Sequence, residues 1–239
     1  ETDKGTLYLI PSLLGDNEPH EVLPMSVKKV LDKSLHFIVE NEKSARAFIK
    51  KVLPSKNQSE MHIEVLNKYT ELEDLMHFLK PCEMGHDVGV ISEAGAPGIA
   101  DPGSEVVKIA HHKGIRVVPL SGPSSILMAM MASGMNGQNF AFNGYLPIDK
   151  SERKRALKNL ESIAKKTGQS QIFMETPYRN MKLYKDIIDF CSPESQLCLA
   201  SDISLSTETI KTQNISAWSR TNIDLDKRPT IFILSNTEF

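Results

Sequence analysis

The sequence predicts an α/β fold built as two α/β domains, and three observations predict it. Short apolar runs rich in β-branched residues recur along the chain, helix-length stretches separate them, and the alternation starts again after Pro119. Strand and helix signals in alternation mark an α/β unit. The 239 residues are enough for two small domains at about 100 to 200 residues each. The join falls at Leu120–Gly122, so an N-terminal α/β domain is expected over 1–120 and a C-terminal α/β domain over 121–239, with a short packed connection.

In the first half the strand signals are TLYLI (6–10), LHFIV (35–39), MHIEVL (61–66), VGVI (88–91) and IRVVPL (115–120). Several are apolar almost throughout, which suits strands covered on both faces. Helices are expected over Met25–Lys33, Lys43–Leu53, Glu71–Leu79 and Ser104–Lys113, the last opened by Asp101-Pro102-Gly103 and closed by Gly114. In the second half SGPSSILMAMMASG reads as a capped apolar helix whose Met128, Met130 and Met131 fill the core. FAFNGYL, a charged helix over Ser151–Lys166, QIFME, a helix over Asn180–Phe190, LCLASDI and TIFIL follow in order.

Lys+Arg 28 against Asp+Glu 30 leaves a formal charge of -2, which removes any global electrostatic argument for nucleic acid and leaves only local patches. Cys82, Cys191 and Cys198 match neither a disulfide framework nor a zinc knuckle, so a reducing, cytoplasmic location is expected. No run approaches the roughly 18 to 20 apolar residues that span a bilayer, and the first residues lack a basic segment followed by a long apolar one. Neither a membrane-embedded nor a secreted protein is expected. His111 and His112 are adjacent on a helix, point in different directions and bring no ligand set, so no metal is expected. Trp218 and the tyrosines show no base-stacking array in sequence.

The chain has no Walker P-loop, no GxGxxG fingerprint, no GxSxG elbow and no HExxH. What stands out is a loop rich in glycine and proline directly after a buried strand, SEAGAPGIADPG at 92–103. Small residues let backbone groups approach a ligand closely, and open α/β sheets bind ligands beyond the carboxyl ends of their strands; a tight crossover into the next helix is the other reading. A second loop, PLSGPSSI at 119–126, also follows a strand and opens a helix. Its Ser121, Ser124 or Ser125 could cap that helix, or with the helix N–H groups hold a carboxylate. The loop after the first strand, IPSLLGD at 10–16, supplies a third wall.

These stretches, with GTLYLI at 5–10, FNGYLP at 142–147 and FMETPYR at 173–179, resemble the tetrapyrrole methylase superfamily of S-adenosylmethionine (SAM) methyltransferases. Within it the chain is most similar to the small-subunit ribosomal RNA 2′-O-methyltransferase family. The resemblance implies two α/β domains with a SAM-binding cleft between them, a homodimer and no metal. It implies that Leu14 and Gly15 lie against the cofactor from the first loop, Gly95, Ala96, Pro97 and Ile99 from the second, and Gly122, Ser124 and Ser125 from the third. From the second domain it implies Phe173 and Met174, then Ala200, then Pro229 and Thr230.

The departures fall on the acceptor side. Where the ribosomal family typically reads Glu-Asp-Thr-Arg, this chain has Glu40, Asn41, Glu42 and Lys43, with Arg46 kept; where it reads Arg-Glu-Leu-Thr-Lys-Leu-His-Glu, this chain has 201–208, SDISLSTE. Methyl transfer from SAM asks mainly for alignment and exclusion of water, and a 2′-hydroxyl acceptor gains from a carboxylate base. Glu40 and Glu175 are the candidates by position, each with an ion pair as its structural alternative. An RNA substrate, ribosomal RNA or the small ribosomal subunit, asks for phosphate-binding charge. Eight Lys or Arg against three acids over 28–56, and seven against two over 150–166, offer it. Lys43, Arg46, Arg153, Lys154, Arg155 and Arg179 are the residues singled out. The alternatives are a methyltransferase acting on a small molecule such as a tetrapyrrole, and a non-catalytic SAM-binding homologue that lost its acceptor site.

Overall fold

In the computed structural model residues 3–236 are described, and the chain divides into two compact units, one up to Ser124 and one from Ser125 on. The first unit runs β1 (Thr6–Ile10), α1 (Pro19–Val22), α2 (Met25–Lys33), β2 (His36–Val39), α3 (Glu42–Val52), β3 (His62–Val65), α4 (Leu72–Phe78), α5 (Lys80–Glu83), β4 (Val88–Ile91), α6 (Gly103–His112) and β5 (Arg116–Pro119). Its sheet has the order β3-β2-β4-β1-β5 and every pairing is parallel. Side chains alternate across a strand, so the inner strands β1, β2 and β4 each feed two cores. Leu7, Ile38, Val88 and Val90 pack with residues of α4, α5 and α6, while Ile10, Phe37, Val39 and Ile91 pack with α2 and α3. Burial on both faces is why these strands read as nearly continuous apolar runs.

The order also fixes where a ligand can sit. From β2 the chain moves outward to β3, whereas from the adjacent β4 it moves the opposite way to β5. Neighbouring strands whose connections part in this way leave a crevice beyond their carboxyl ends. Glu40 follows β2 there, and the 92–103 loop follows β4.

The second unit runs α7 (Ser125–Ser133), β6 (Phe140–Tyr145), α8 (Lys150–Thr167), β7 (Ser170–Met174), α9 (Asn180–Phe190), β8 (Gln196–Ser201), β9 (Thr209–Asn214), α10 (Ile215–Trp218) and β10 (Thr230–Ser235). Its sheet, β6-β7-β10-β8-β9, is mixed: β6 and β7 are parallel and the other pairs antiparallel. One face packs α8 and α9 through Leu157, Leu160, Leu183, Ile187, Phe173 and Phe232. α7 lies against β10, β9 and β8. Asp149 caps α8 by accepting from the Glu152 amide, and Gly168, at φ +72, ends it in the left-handed conformation that glycine adopts freely.

One expectation differs, and one strand lies where the sequence carried no signal. Met130 is buried, but Met131 is 82% exposed, so the methionine run is only partly core. α7 is apolar all round, and its period places Met131 on the face away from the sheet. β9 was not legible because TIKTQN is a half-exposed edge strand pairing only with β8, so it carries no apolar run.

Candidate functional site

In the first unit three loops converge at the carboxyl edge of the sheet. The Ser12 amide donates to the Gly95 carbonyl at 3.0 Å, Ser12 Oγ to the Ser92 carbonyl at 2.8 Å and Ser92 Oγ to the Gly95 carbonyl at 2.6 Å. Leu14, Gly95, Gly122 and Ser124 are thereby neighbours. A Cβ on Gly95, which sits at φ +70, would lie 3.0 Å from both Leu14 Cδ2 and the Pro123 carbonyl oxygen; one on Gly122 would lie 2.2 Å from Pro11 Cγ. Only glycine allows the loops to close this tightly.

The 92–103 loop is shaped by its own carboxylate. Asp101 Oδ1 accepts from the Gly98 amide at 2.7 Å and the Gly103 amide at 2.9 Å. Gly98 and Ala100 have φ of +81 and +59, and for alanine this is a costly conformation of the kind held at ligand loops. Pro97 is buried, Ala96 half-buried and Ile99 exposed. A groove of about 300 Å³ beside Leu14 and Gly15 is lined also by Ser12, Ser44, Phe48 and Glu93.

Glu40 stands half-buried at this edge. Burial first, then the carboxylates of Asp101 and Glu93, push its carboxyl above the ordinary value. Glu93 accepts from Ser44 Oγ at 2.8 Å, and Asn41 caps α3 by accepting from the Ser44 amide at 3.0 Å. Lys43 is exposed in the first turn of α3. Arg46 is engaged locally, by Glu42 at 2.9 Å and the Gln58 carbonyl at 3.2 Å. Lys33 pairs with Asp87 and Lys51 with Asp16. Much of the basic stretch over 28–56 therefore serves the unit itself.

In the second unit the register gathers another set at one end of the sheet. Ile231 on β10 faces Met174 on β7 and Ala200 on β8, and Thr230 faces Ser201. Met174, Ala200, Pro229 and Thr230 thus share one end, and Ser125 opens α7. Phe173 does not present its ring there: it is fully buried, 5.8 Å from the Phe232 ring in the core under α8 and α9. Strand alternation sends it to the face opposite Met174, so only its backbone is available to a ligand.

Arg153 and Glu175 also differ from expectation. Arg153 is 0% exposed, with Nε 2.9 Å from Asp186 Oδ2 and Nη1 3.7 Å from Glu175 Oε2. It occupies the apolar row of α8 with Leu157, Leu160 and Ala164, so it offers no charge to a phosphate. Glu175 is engaged by Arg153, by Arg179 at 3.2 Å and by the Thr176 amide at 2.7 Å, an ion-paired anchor in place of a free base. Lys154 and Arg155 are exposed, Lys154 lying 5.2 Å over the Phe190 ring.

The altered 201–208 segment is closed by a residue that sequence reasoning passed over. Arg228 donates to Asp202 Oδ2 at 2.8 Å and to the Thr207 carbonyl at 2.8 Å, while Thr207 Oγ1 donates to Asp202 Oδ2 at 2.9 Å. Asp202 and Ser204 have φ of +51 and +72. An arginine from outside the segment thus holds a strained turn that the family pattern would fill with its own basic residues.

A family model described as Tetrapyrrole (Corrin/Porphyrin) Methylases matches residues 13–218. The chain is similar to Ribosomal RNA small subunit methyltransferase I of Pseudomonas aeruginosa, 28% identical over 207 residues, which are 87% of this chain and 69% of that protein. It is 33% identical over 127 residues to the protein of the same name from Vibrio cholerae, 53% of this chain and 43% of that one. Among solved structures it resembles the methyltransferase CobJ, with TM-score 0.63, 15% identity and coverage of 97% and 94% of the two chains. It also resembles the uroporphyrin-III C-methyl transferase from Thermus thermophilus complexed with S-adenyl homocysteine, with TM-score 0.53, 16% identity and 97% of each chain covered. At that identity the two structures speak to the fold alone.

Proposed function

We propose that this chain, which belongs to the tetrapyrrole (corrin/porphyrin) methylase family and is a SAM-dependent methyltransferase, methylates small-subunit ribosomal RNA on a ribose 2′-hydroxyl. The observation that carries the reading is Glu40: a half-buried carboxylate with a raised pKa at the crevice of an open parallel sheet, beside three loops closed by glycine. The relatives' name supplies the substrate class.

The residues present fit the cofactor. Gly95 and Gly122 let the three loops close where a Cβ would meet Leu14, Pro123 or Pro11, which brings Leu14, Gly15, Ala96, Pro97, Ile99 and Ser124 to one edge for the cofactor. On the second unit, Ser125, Met174, Ala200, Pro229, Thr230 and the backbone at Phe173 are the residues that the family resemblance implies for the cofactor. Bound SAM supplies an electrophilic methyl group. Glu40 receives the proton of the acceptor hydroxyl, a role suited to a carboxylate whose pKa burial and the neighbouring Asp101 and Glu93 raise. Asp101 holds the loop around Gly98, and Ser44 orients Glu93 beside Glu40. Lys43, Lys154, Arg155 and Arg179 attract the phosphate backbone, with Arg46 acting through the α3 end it braces.

A homodimer in the cytoplasm is the setting we propose. Exposed Leu127 and Met131 on α7 support the first, and three free, buried cysteines support the second. Among the described residues no helix is long and apolar enough to cross a membrane.

The test is Glu40→Gln, assayed with SAM and small ribosomal subunits lacking the modification. We expect kcat to fall about 100-fold with the SAM dissociation constant unchanged, and nuclease digests of the wild-type product to contain a 2′-O-methylated nucleoside. A base-methylated product, or an unchanged kcat, would overturn the assignment.

A further inference from the structure

We propose that a groove in the second unit, at the end of β6, seats an unstacked base of the RNA substrate on Tyr145 and on the stacked Arg179–Tyr178 pair. The inference rests on the RNA reading above and names how the substrate is gripped.

The sequence shows no aromatic array, yet the fold builds a platform from two separate loops. The register of β6 against β7 breaks between Phe142 and Tyr145, where Gly144 takes φ +65. Asn143 Nδ2 donates to the Ile172 carbonyl at 3.2 Å and to Gln171 Oε1 at 3.1 Å, fixing the irregularity. A bulge of this kind re-aims the side chain that follows it. Tyr145 emerges 57% exposed and Ile148 58% exposed, while Phe173, Trp218, Phe232 and Tyr184 of the same unit are buried. Tyr145, Leu146, Pro147, Ile148, Glu175, Thr176 and Arg179 line an open groove of about 510 Å³, and Tyr178 adjoins it through the Arg179 guanidinium over its ring.

Arg179 is the fixed element of that groove. Its Nε lies 3.2 Å from Glu175 Oε1, its guanidinium 4.9 Å from the centroid of the Tyr178 ring, and its Nη1 donates to Tyr178 Oη at 2.9 Å. Glu175 is itself buried and within 3.7 Å of buried Arg153, so the guanidinium is anchored from beneath. Tyr178 is 66% exposed. Single-stranded RNA is recognised by stacking unpaired bases on aromatic rings and arginine planes.

The stacking surface favours a nucleotide over a second protein surface. α8 starts directly after Ile148 and Asp149 and exposes Lys150, Lys154 and Arg155 in its first turns, against Glu152. Asp149 is occupied as the helix cap, accepting from the Glu152 amide at 2.9 Å. Lys150 and Lys154 lie 5.7 and 5.2 Å over the Phe190 ring, so Arg179 is the cation of the groove itself, paired with Glu175 beside an apolar, stacking floor.

The experiment measures KM and kcat for tritiated methyl transfer to unmodified small ribosomal subunits by the wild-type chain and by Tyr145→Ala, Tyr145→Phe, Tyr178→Ala and Tyr178→Phe. SAM affinity is followed by calorimetry and oligomeric state by sedimentation. We expect KM to rise about tenfold or more in each alanine variant, as loss of one stacked base implies, with recovery in each phenylalanine variant and unchanged SAM affinity. Wild-type transfer with unaltered KM in both alanine variants would overturn the groove and leave the RNA reading standing. A changed oligomeric state with unaltered KM would assign the groove to a protein interface and overturn it equally. A wild-type chain that binds SAM and methylates no subunit would overturn both proposals.

Discussion

The two units hold their candidate site residues by different means. At the carboxyl edge of the first sheet the bonds are main-chain and hydroxyl: Ser12 to Gly95, Ser92 to Gly95 and Gly98 to Asp101, closed by glycines where a Cβ would collide. At the corresponding end of the second unit the ties are ionic: Arg153 with Asp186 and Glu175, Arg179 with Glu175, and Arg228 with Asp202. A backbone-built edge announces itself in sequence through glycine and proline, whereas an ion-built one is spread over residues that look like ordinary surface charge.

The comparison can be broken from either side, and the largest effect is expected at Arg153. Replacing it by alanine leaves the Asp186 carboxylate buried without its cation, and removal of one member of a buried pair costs about 3 to 5 kcal/mol. Denaturant unfolding should show that loss; a change below about 1 kcal/mol would mean that the network is not holding the second unit. Arg228→Ala comes next, since it removes charge-assisted bonds worth about 1.5 to 3 kcal/mol to a partly exposed turn. Proteolysis within 202–208 should accelerate, and unchanged cleavage would remove Arg228 from its role. On the first unit, Gly95→Ala places a side chain at positive φ, at a cost of about 1 to 2 kcal/mol, and crowds Leu14 and Pro123. Calorimetry should report weakened SAM binding, and full retention would separate the loops from the cofactor.

Two smaller effects concern pH. Burial, with His62 and then His86 nearby, holds the His36 imidazole below its ordinary value of 6.5. The unfolded chain therefore takes up that proton first, so this contribution to stability is full above 6.5 and is lost as pH falls from there toward the folded value. His36→Gln should flatten that slope in pH-dependent unfolding; an unchanged slope would place the titration elsewhere. The Glu40 carboxyl is raised, so activity should rise with pH through a range above that of an ordinary carboxylate. Glu93→Gln removes the smallest of its named causes and should move the acid limb of the rate profile to lower pH; a limb that stays put would exclude Glu93 from tuning it.

How much of this was legible follows the same divide. The inner parallel strands of the first unit, buried on two faces, were readable as apolar runs, and the stretches at 92–103 and 119–126 as loops bearing glycine and proline that follow a strand and open a helix. β9 was hidden because an edge strand such as TIKTQN needs no apolar face. Arg153 was read as a surface charge although its spacing to Leu157, Leu160 and Ala164 puts it in the buried row of α8, a signal that charge counting overlooks. Tyr145, Tyr178 and Arg228 had no local signal, since each acquires its setting from a bulge, an anchored arginine or a turn distant in sequence.

The most direct measurement is tritiated methyl transfer from SAM to small ribosomal subunits that lack the modification, on the wild-type chain and beside a calorimetric titration with S-adenosylhomocysteine. The account predicts that the homologue of the cofactor binds and that label enters the ribosomal RNA. Binding without any label in the RNA would contradict it.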